Sequence, residues 1–334
     1  MKMSIKYLLA TVVLSCSLSL PSVSQAAYKF KLGNSGAPDH HYTLSCLEFA
    51  KRVKERTNGE IDIEVYPNDQ LGSQRELTEG VQIGTVDMVL TSDSQLSAFD
   101  DSFGVLGIPF LFRDIEHVTK VMDGPIGEWF SRQAEKKGMV VLGYWENGFR
   151  QMSNSKRPIN TPEDLKGLKM RAPNSFVAVE SFRMLGMAPA PMASGEIYSA
   201  LQLGTVDGQE NAIGRMLTDK IQEVQKYISM TSHMHTTEPL VISKMVFDSM
   251  TPELQKILKE EGLAVAAYSR NMVEELEKGQ IEEFEKLIAV NYPDRKPFME
   301  ASKPIYDFFR EKFEYPDFQK EFGAHIIDAI VAVE

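Results

Sequence analysis

Three side chains in this sequence combine ligand-gripping chemistry with a suitable position. Arg150 follows the apolar run MVVLGYWENG, Arg171 closes LKM ahead of Ala172-Pro173-Asn174, and Asn211 follows TVDGQE. A guanidinium offers two parallel N–H donors that match the two oxygens of a carboxylate, a geometry lysine cannot reproduce. An asparagine can donate to and accept from the same ligand. Each of the three stands at the carboxyl end of a strand-like run, where open α/β sheets hold ligands. The competing reading makes the two arginines surface residues in weak ion pairs. Catalytic and metal-binding patterns are missing: there is no GxSxG, HExxH, CxxC, GxGxxG or phosphate-loop signature. The histidine pairs His40-His41 and His233-x-His235 fall short of the three or four ligands a metal site needs, and capping or hydrogen bonding is their expected role. No enzyme chemistry, cofactor or metal is expected.

The elements that must position these residues follow an α/β rhythm. YKFKLG alternates as a strand does, and YTLSCLEFAKRVKERTNG places Leu44, Leu47, Phe49, Ala50 and Val53 on one helical face before Asn58-Gly59. EIDIEVYP is a strand, SQRELTEGVQIG a helix closed by Gly84, and TVDMVLTS a strand. FGVLGIPFLFRD reads as a buried connecting segment rather than a surface patch, and two helices split at Gly124-Pro125 precede MVVLGYWENG. A second unit repeats the pattern. TPEDLKG is a short helix capped by Thr161 and LKMRAPN a strand ended by Pro173. SFVAVESFRMLGM is a helix, GEIYSALQLG a helix capped by Ser194 and closed by Gly204, and TVDGQENA a strand. Such alternation predicts a largely parallel sheet. The stretch QIGTVD at 82–87 returns as QLGTVD at 202–207, each a helix, a glycine cap and a strand start, which predicts two units on one plan. From Thr251 onward, Leu254, Ile257, Leu258, Val265, Met272, Leu276 and Phe284 recur at helical spacing in one unusually long helix, able to lie across both units.

Residues 1–26 read as a cleavable leader: Lys2 and Lys6, the apolar run from Leu8 to Leu20, then Ser24-Gln25-Ala26. A lipid anchor at Cys16 is the rival reading. Beyond the leader one cysteine remains, Cys46, so no intrachain disulfide can form. The formal charge of −11 becomes −13 once the two leader lysines are gone, which argues against nucleic acid as a partner. An anionic ligand would need locally placed positive charge.

The segments ENGFRQMSNSKRPINTPEDLKGLKMRAPNS, PMASGEIYSALQLGTVDGQENAIG, KIQEVQKYISMTSH, IEVYPNDQLGSQRELTEGVQIGTVDM and LGIPFLF closely resemble the solute receptors of tripartite ATP-independent periplasmic (TRAP) transporters, the DctP-type family. The resemblance covers nearly the whole chain after the leader. It implies an α/β, two-lobed periplasmic-binding-protein-like fold with a long helix spanning both lobes. The lobes are expected at 27–149 plus about 237–275 and at 150–236 plus about 276–315, with 316–334 packing on them as a tail. It implies a periplasmic location, in keeping with the leader read from residues 1–26. It further implies capture of an organic acid by hinge closure and delivery to the small and large membrane subunits of a permease, with the receptor a monomer. Arg171 then matches the arginine that clamps the ligand carboxylate, Arg150 a second arginine, and Asn211 the ligand-binding asparagine. Further positions expected at the cleft are Asn34, Glu76, Ser92, Asp93, Trp145, Glu210 and His41, with Arg75, His40 and Glu238 behind them. A sugar acid such as a hexuronate is the expected ligand. A C4-dicarboxylate is the alternative within the family, and a periplasmic sensory module the alternative outside it. Ser194, where receptors for sialic acid carry an aromatic, argues against sialic acid.

Overall fold

Alternating apolar residues in YKFKLG and IDIEVY pair as parallel strands and start one continuous sheet. A computed structural model describes residues 27–334; the expected leader, Cys16 included, lies outside the described residues. The strands are β1 (Tyr28–Gly33), β2 (Ile61–Tyr66), β3 (Met88–Leu90), β4 (Met139–Asn154), β5 (Lys169–Ala172), β6 (Ala188–Pro191), β7 (Gly208–Ala212), β8 (Tyr227–Ser243) and β9 (Ala289–Asn291). They lie in the order β2-β1-β3-β8-β4-β7-β5-β6, with β9 added beside β8. The sheet is parallel in its outer parts but antiparallel where β3 meets β8, β8 meets β4 and β4 meets β7. The expectation of a largely parallel sheet is therefore corrected at the centre. There two strands of 16 and 17 residues run through both halves of the molecule.

The doubled QxGTVD motif does the same work twice. Gly84 and Gly204 take the left-handed cap conformation at φ 76° and 66°, which glycine reaches without a Cβ clash. Asp87 then accepts the Lys31 backbone N–H at 2.9 Å, and Asp207 accepts the Lys169 N–H at 2.9 Å, so each aspartate ties its strand to the parallel neighbour. The arrangement β2-β1-β3 is mirrored in role by β6-β5-β7. Two units on one plan is what the repeat predicts.

Helices cover both faces. The helix His41–Arg56 buries Tyr42, Cys46, Phe49 and Val53, while Leu44 and Leu47 face outward at 38% and 49% exposure. The predicted face is thus corrected: two apolar stripes compete on this helix, and the one carrying the aromatic rings meets the sheet. The long helix, Pro252–Leu287, is unbroken over 36 residues. Leu254, Leu258, Val265 and Ala266 pack with Phe49 and Trp145 in one core, and Phe284 packs with Ile197, Ile213 and Ile228 in another. Residues 271–283 between them bury no side chain fully, Leu276 is exposed, and only Ile281 packs against the second core, so this stretch bridges the two. No helix among the described residues is long and apolar enough to cross a membrane.

Gly262 lies within this unbroken helix. It lets the helix touch β4: a Cβ there would stand 2.4 Å from the Leu142 carbonyl oxygen, and one on Gly143 would stand 2.5 Å from the Gly262 oxygen. Gly262→Val should therefore destabilise the fold by about 1–3 kcal/mol through overpacking. Gly279→Ala, with nothing within 4 Å of its Cβ, should stabilise by roughly 0.5–1 kcal/mol. Urea unfolding of both variants checks the pair; equal effects would refute the close-approach argument.

Candidate functional site

The carboxyl ends of strands from both halves face one another across a cavity. It holds about 390 Å³ of atom-free space, part of it open to solvent. The wall from the second half is Arg150, Arg171, Pro173, Ser194, Asn211 and Arg215; the wall from the first half includes Ser35, Tyr42, Gln74, Ser92, Gln95 and Glu238. All three guanidiniums stand on one side.

Arg150 is saturated by the protein. Its Nη2 donates to the Glu210 carbonyl and to Glu210 Oε1, both at 2.8 Å, its Nε bonds Glu210 Oε2, and Nη1 donates to Asn211 Oδ1 at 3.0 Å. Burial alone would push the Glu210 carboxyl up, but Arg150 and His233 hold it well below the usual carboxylate range. β4 aims Arg150 through irregular register on either side, between Glu146 and Gly148 and between Arg150 and Met152. Arg150 therefore stands inside β4, not just beyond a strand as its sequence context suggests.

Arg171 is different. It is 4% exposed, and its Nε and Nη2 donate only to the Met192 carbonyl, at 3.2 and 2.9 Å. Among the described residues it has no carboxylate partner. Burial pulls its pKa down to about 10; Glu210 resists, and the positive Arg150 and Arg215 add to the fall. It remains charged at neutral pH. A buried cation without an anion is costly unless something supplies one.

Arg215, which the sequence does not single out, completes the group. Its Nε pairs with Asp219 at 2.7 Å, and Nη1 donates to the Ser35 carbonyl at 2.9 Å and its hydroxyl at 3.2 Å. Those last bonds join the two walls over 180 residues of chain. The only sequence signal is its place four residues after Asn211, in the first turn of the helix that follows β7.

On the facing wall Glu238 is 3% exposed and accepts from the Tyr42 hydroxyl at 2.7 Å and Gln74 Nε2 at 3.2 Å. Burial raises its carboxyl to about 8, Tyr42 opposes the rise, and nearby Asp93 adds to it.

Of the positions expected at the cleft, Arg150, Arg171, Asn211, Ser92 and Glu238 line the cavity. The others do not, and each has another occupation. Trp145 is a core residue, 1% exposed, donating Nε1–H to the Gly262 carbonyl at 2.9 Å. Glu76 is exposed and spent in a capping box with Ser73, and Arg75 pairs with Glu79 on the same outer face. Gln74, one helical step earlier, is the residue that points in. Asp93 stands behind the wall, accepting the Thr237 N–H at 2.9 Å, and burial brings its carboxyl up to about 6. Glu210 lies behind Arg150. Asn34 is fully buried, and its Oδ1 accepts from the Gly36 N–H and the Thr43 hydroxyl. His41 bonds the Glu146 carbonyl at 3.0 Å on the far side of β4, and His40 caps its helix through Tyr42 N–H. Burial lowers the pKa of His41 to about 4, so it is neutral.

Residues 32–312 match the family model for bacterial extracellular solute-binding protein family 7, DctP. The chain belongs to this family. The 2,3-diketo-L-gulonate-binding periplasmic protein YiaO of Escherichia coli K12 is 34% identical to this family 7 member, over 86% of this chain and 88% of its own. A TRAP periplasmic solute-binding protein of Polaromonas sp. JS666 bound to D-erythronate shares 37% identity at TM-score 0.85, covering 92% of this chain and 99% of that one. One from Sulfitobacter sp. NAS-14.1 with bound β-D-galacturonate shares 30% identity at TM-score 0.85, covering 91% and 100%. Membership makes the chain a two-lobed solute receptor of a periplasmic family that serves TRAP permeases, with small organic acids as the ligand class.

Proposed function

We propose that this receptor captures a sugar acid of the hexuronate class and hands it to a TRAP permease of one small and one large membrane subunit. It acts as a monomer, exported by a leader removed after Ala26. The acid end docks on Arg171, Arg150 and Asn211 steady it, and the lobes fold over it. The observation that carries this reading is the Arg171 guanidinium, buried in the cavity without a carboxylate partner among the described residues. A ligand carboxylate supplies the missing anion through two parallel bonds. The choice of a sugar acid is supported by the opposite wall, whose hydroxyl, amide and phenol groups suit several ligand hydroxyls. Galacturonate and erythronate in the related receptors point the same way.

A thermal-shift panel of galacturonate, glucuronate, erythronate, succinate and neutral galactose tests the reading. Ligand at a hundred times its Kd should stabilise the fold by about 2.7 kcal/mol. Uronates should shift the transition most and galactose not at all. A shift with galactose equal to that with galacturonate would remove the carboxylate from the account.

A further inference from the structure

The cavity is lopsided in charge. Arg150, Arg171 and Arg215 lie on one wall, and on the facing wall the one ionisable carboxyl among the described residues is Glu238. Glu238 has no ion-pair partner among them. Arg150 is committed to Glu210, Arg215 to Asp219, and the bonds Glu238 accepts come from a phenol and an amide, Tyr42 and Gln74. A carboxyl so placed faces the anion the arginines attract. We propose that Glu238 is the residue that sets ligand class in this cavity, working as a neutral carboxylic acid that reads a ligand hydroxyl and leaves a second ligand carboxylate without a cation on its side. The inference rests on the organic-acid receptor reading above and adds to it the state and role of one side chain.

The chemistry follows from the proton. As an acid, Glu238 keeps acceptor capacity for Tyr42 and Gln74 while its O–H can donate to a sugar hydroxyl, which can donate in return. Ionised, it would add a negative charge beside an anionic ligand. The charged and titratable groups around it are Tyr42 and Cys46 on one helix, Asp93 after β3, Arg150 on β4 and Arg215 after β7. Burial raises the Tyr42 and Cys46 groups far above neutrality, and Asp93 lies near 6 with its Thr237 bonds serving the ionised form. Between pH 7 and 9 the group among these that changes charge is Glu238, whose carboxyl sits at about 8. The binding-competent acid form is populated below that value and lost as pH rises through it.

The affinity of the best acid from the panel, measured by calorimetry at pH 7 and pH 9, should therefore fall about tenfold, since apparent Kd scales inversely with the competent fraction. The same titration near pH 8 in two buffers of different ionisation enthalpy should show net proton uptake by the unaltered protein. Glu238→Gln, its folding checked by thermal unfolding, should bind about fivefold more weakly at pH 7 than the unaltered protein, should lose the pH slope, and should take up no proton. Succinate should bind more weakly than galacturonate at every pH. An affinity flat from pH 7 to 9, absence of proton uptake, or an unchanged slope in Glu238→Gln would each overturn the proposal while leaving the receptor reading intact, whereas preference for succinate would overturn the proposal together with the choice of a sugar acid and leave only the organic-acid receptor standing. Failure of every organic acid to bind would overturn both.

Discussion

Arg171→Met is expected to abolish organic-acid binding and at the same time raise the melting temperature. The two effects share one cause. In the unaltered protein a guanidinium that is 4% exposed rests on a single carbonyl group, Met192, without a carboxylate. Replacing a poorly compensated buried charge with an apolar chain of similar length relieves that cost. Removing the partner of a buried ligand carboxylate costs about 2–5 kcal/mol, roughly 30- to several-thousand-fold in Kd. Arg171→Lys keeps the charge but loses the fork, and should weaken binding about tenfold or more, the worth of one charge-assisted bond. Calorimetry and thermal unfolding measure both. Near-native affinity in Arg171→Lys would defeat the assignment, and destabilisation in Arg171→Met would make the residue a structural arginine instead.

Glu210→Gln should have the opposite character, a loss of stability larger than that of Gly262→Val. Glu210 is fully buried and its carboxylate neutralises Arg150 through bidentate bonds. The amide leaves Arg150 as an uncompensated buried cation, at a cost of about 3–5 kcal/mol. A double variant, Arg150→Met with Glu210→Leu, removes both charges and should cost less than Glu210→Gln alone. Urea unfolding decides, and a double variant worse than the single one would refute the ion-pair argument. The pH dependence follows from the lowered Glu210 pKa. The pair's contribution is complete above the unfolded carboxyl's pKa, about 4.3, and is lost only as pH falls below it toward the folded value.

Much of the fold is legible in the sequence because helix caps and strand starts are local. Ser73, Gly84, Gly204 and Thr251 mark boundaries that survive in the structure. What fails is what depends on distant partners. The strand expected at MVVLGYWENG stops short of FRQMSN, yet that segment is the end of β4, with Gln151, Ser153 and Asn154 buried and paired to β7 and β8. A polar strand inside a sheet has no hydrophobic alternation to betray it. The site divides the same way. Arg171 and Asn211 stand at strand ends and can be found from strand ends. Arg215 acts through Ser35, far off in the chain, and Glu238, expected only as one of several cleft positions, owes its state to burial that no local pattern encodes. Trp145 and Glu76 mislead because a large ring or an acid near a helix start suits a ligand as well as it suits the core or a cap.

The course of β4 and β8 also bears on when this chain can fold. Met88 in the first half finds its partner at Ile242, and Met152 in the second finds one at Ser229. A ribosome making the protein must release most of it before either half of the sheet can close, so early compact intermediates are disfavoured during synthesis. For a member of a periplasmic family that delay is useful, since a nascent chain still lacking its closing strand remains slack enough to be threaded through a translocation channel.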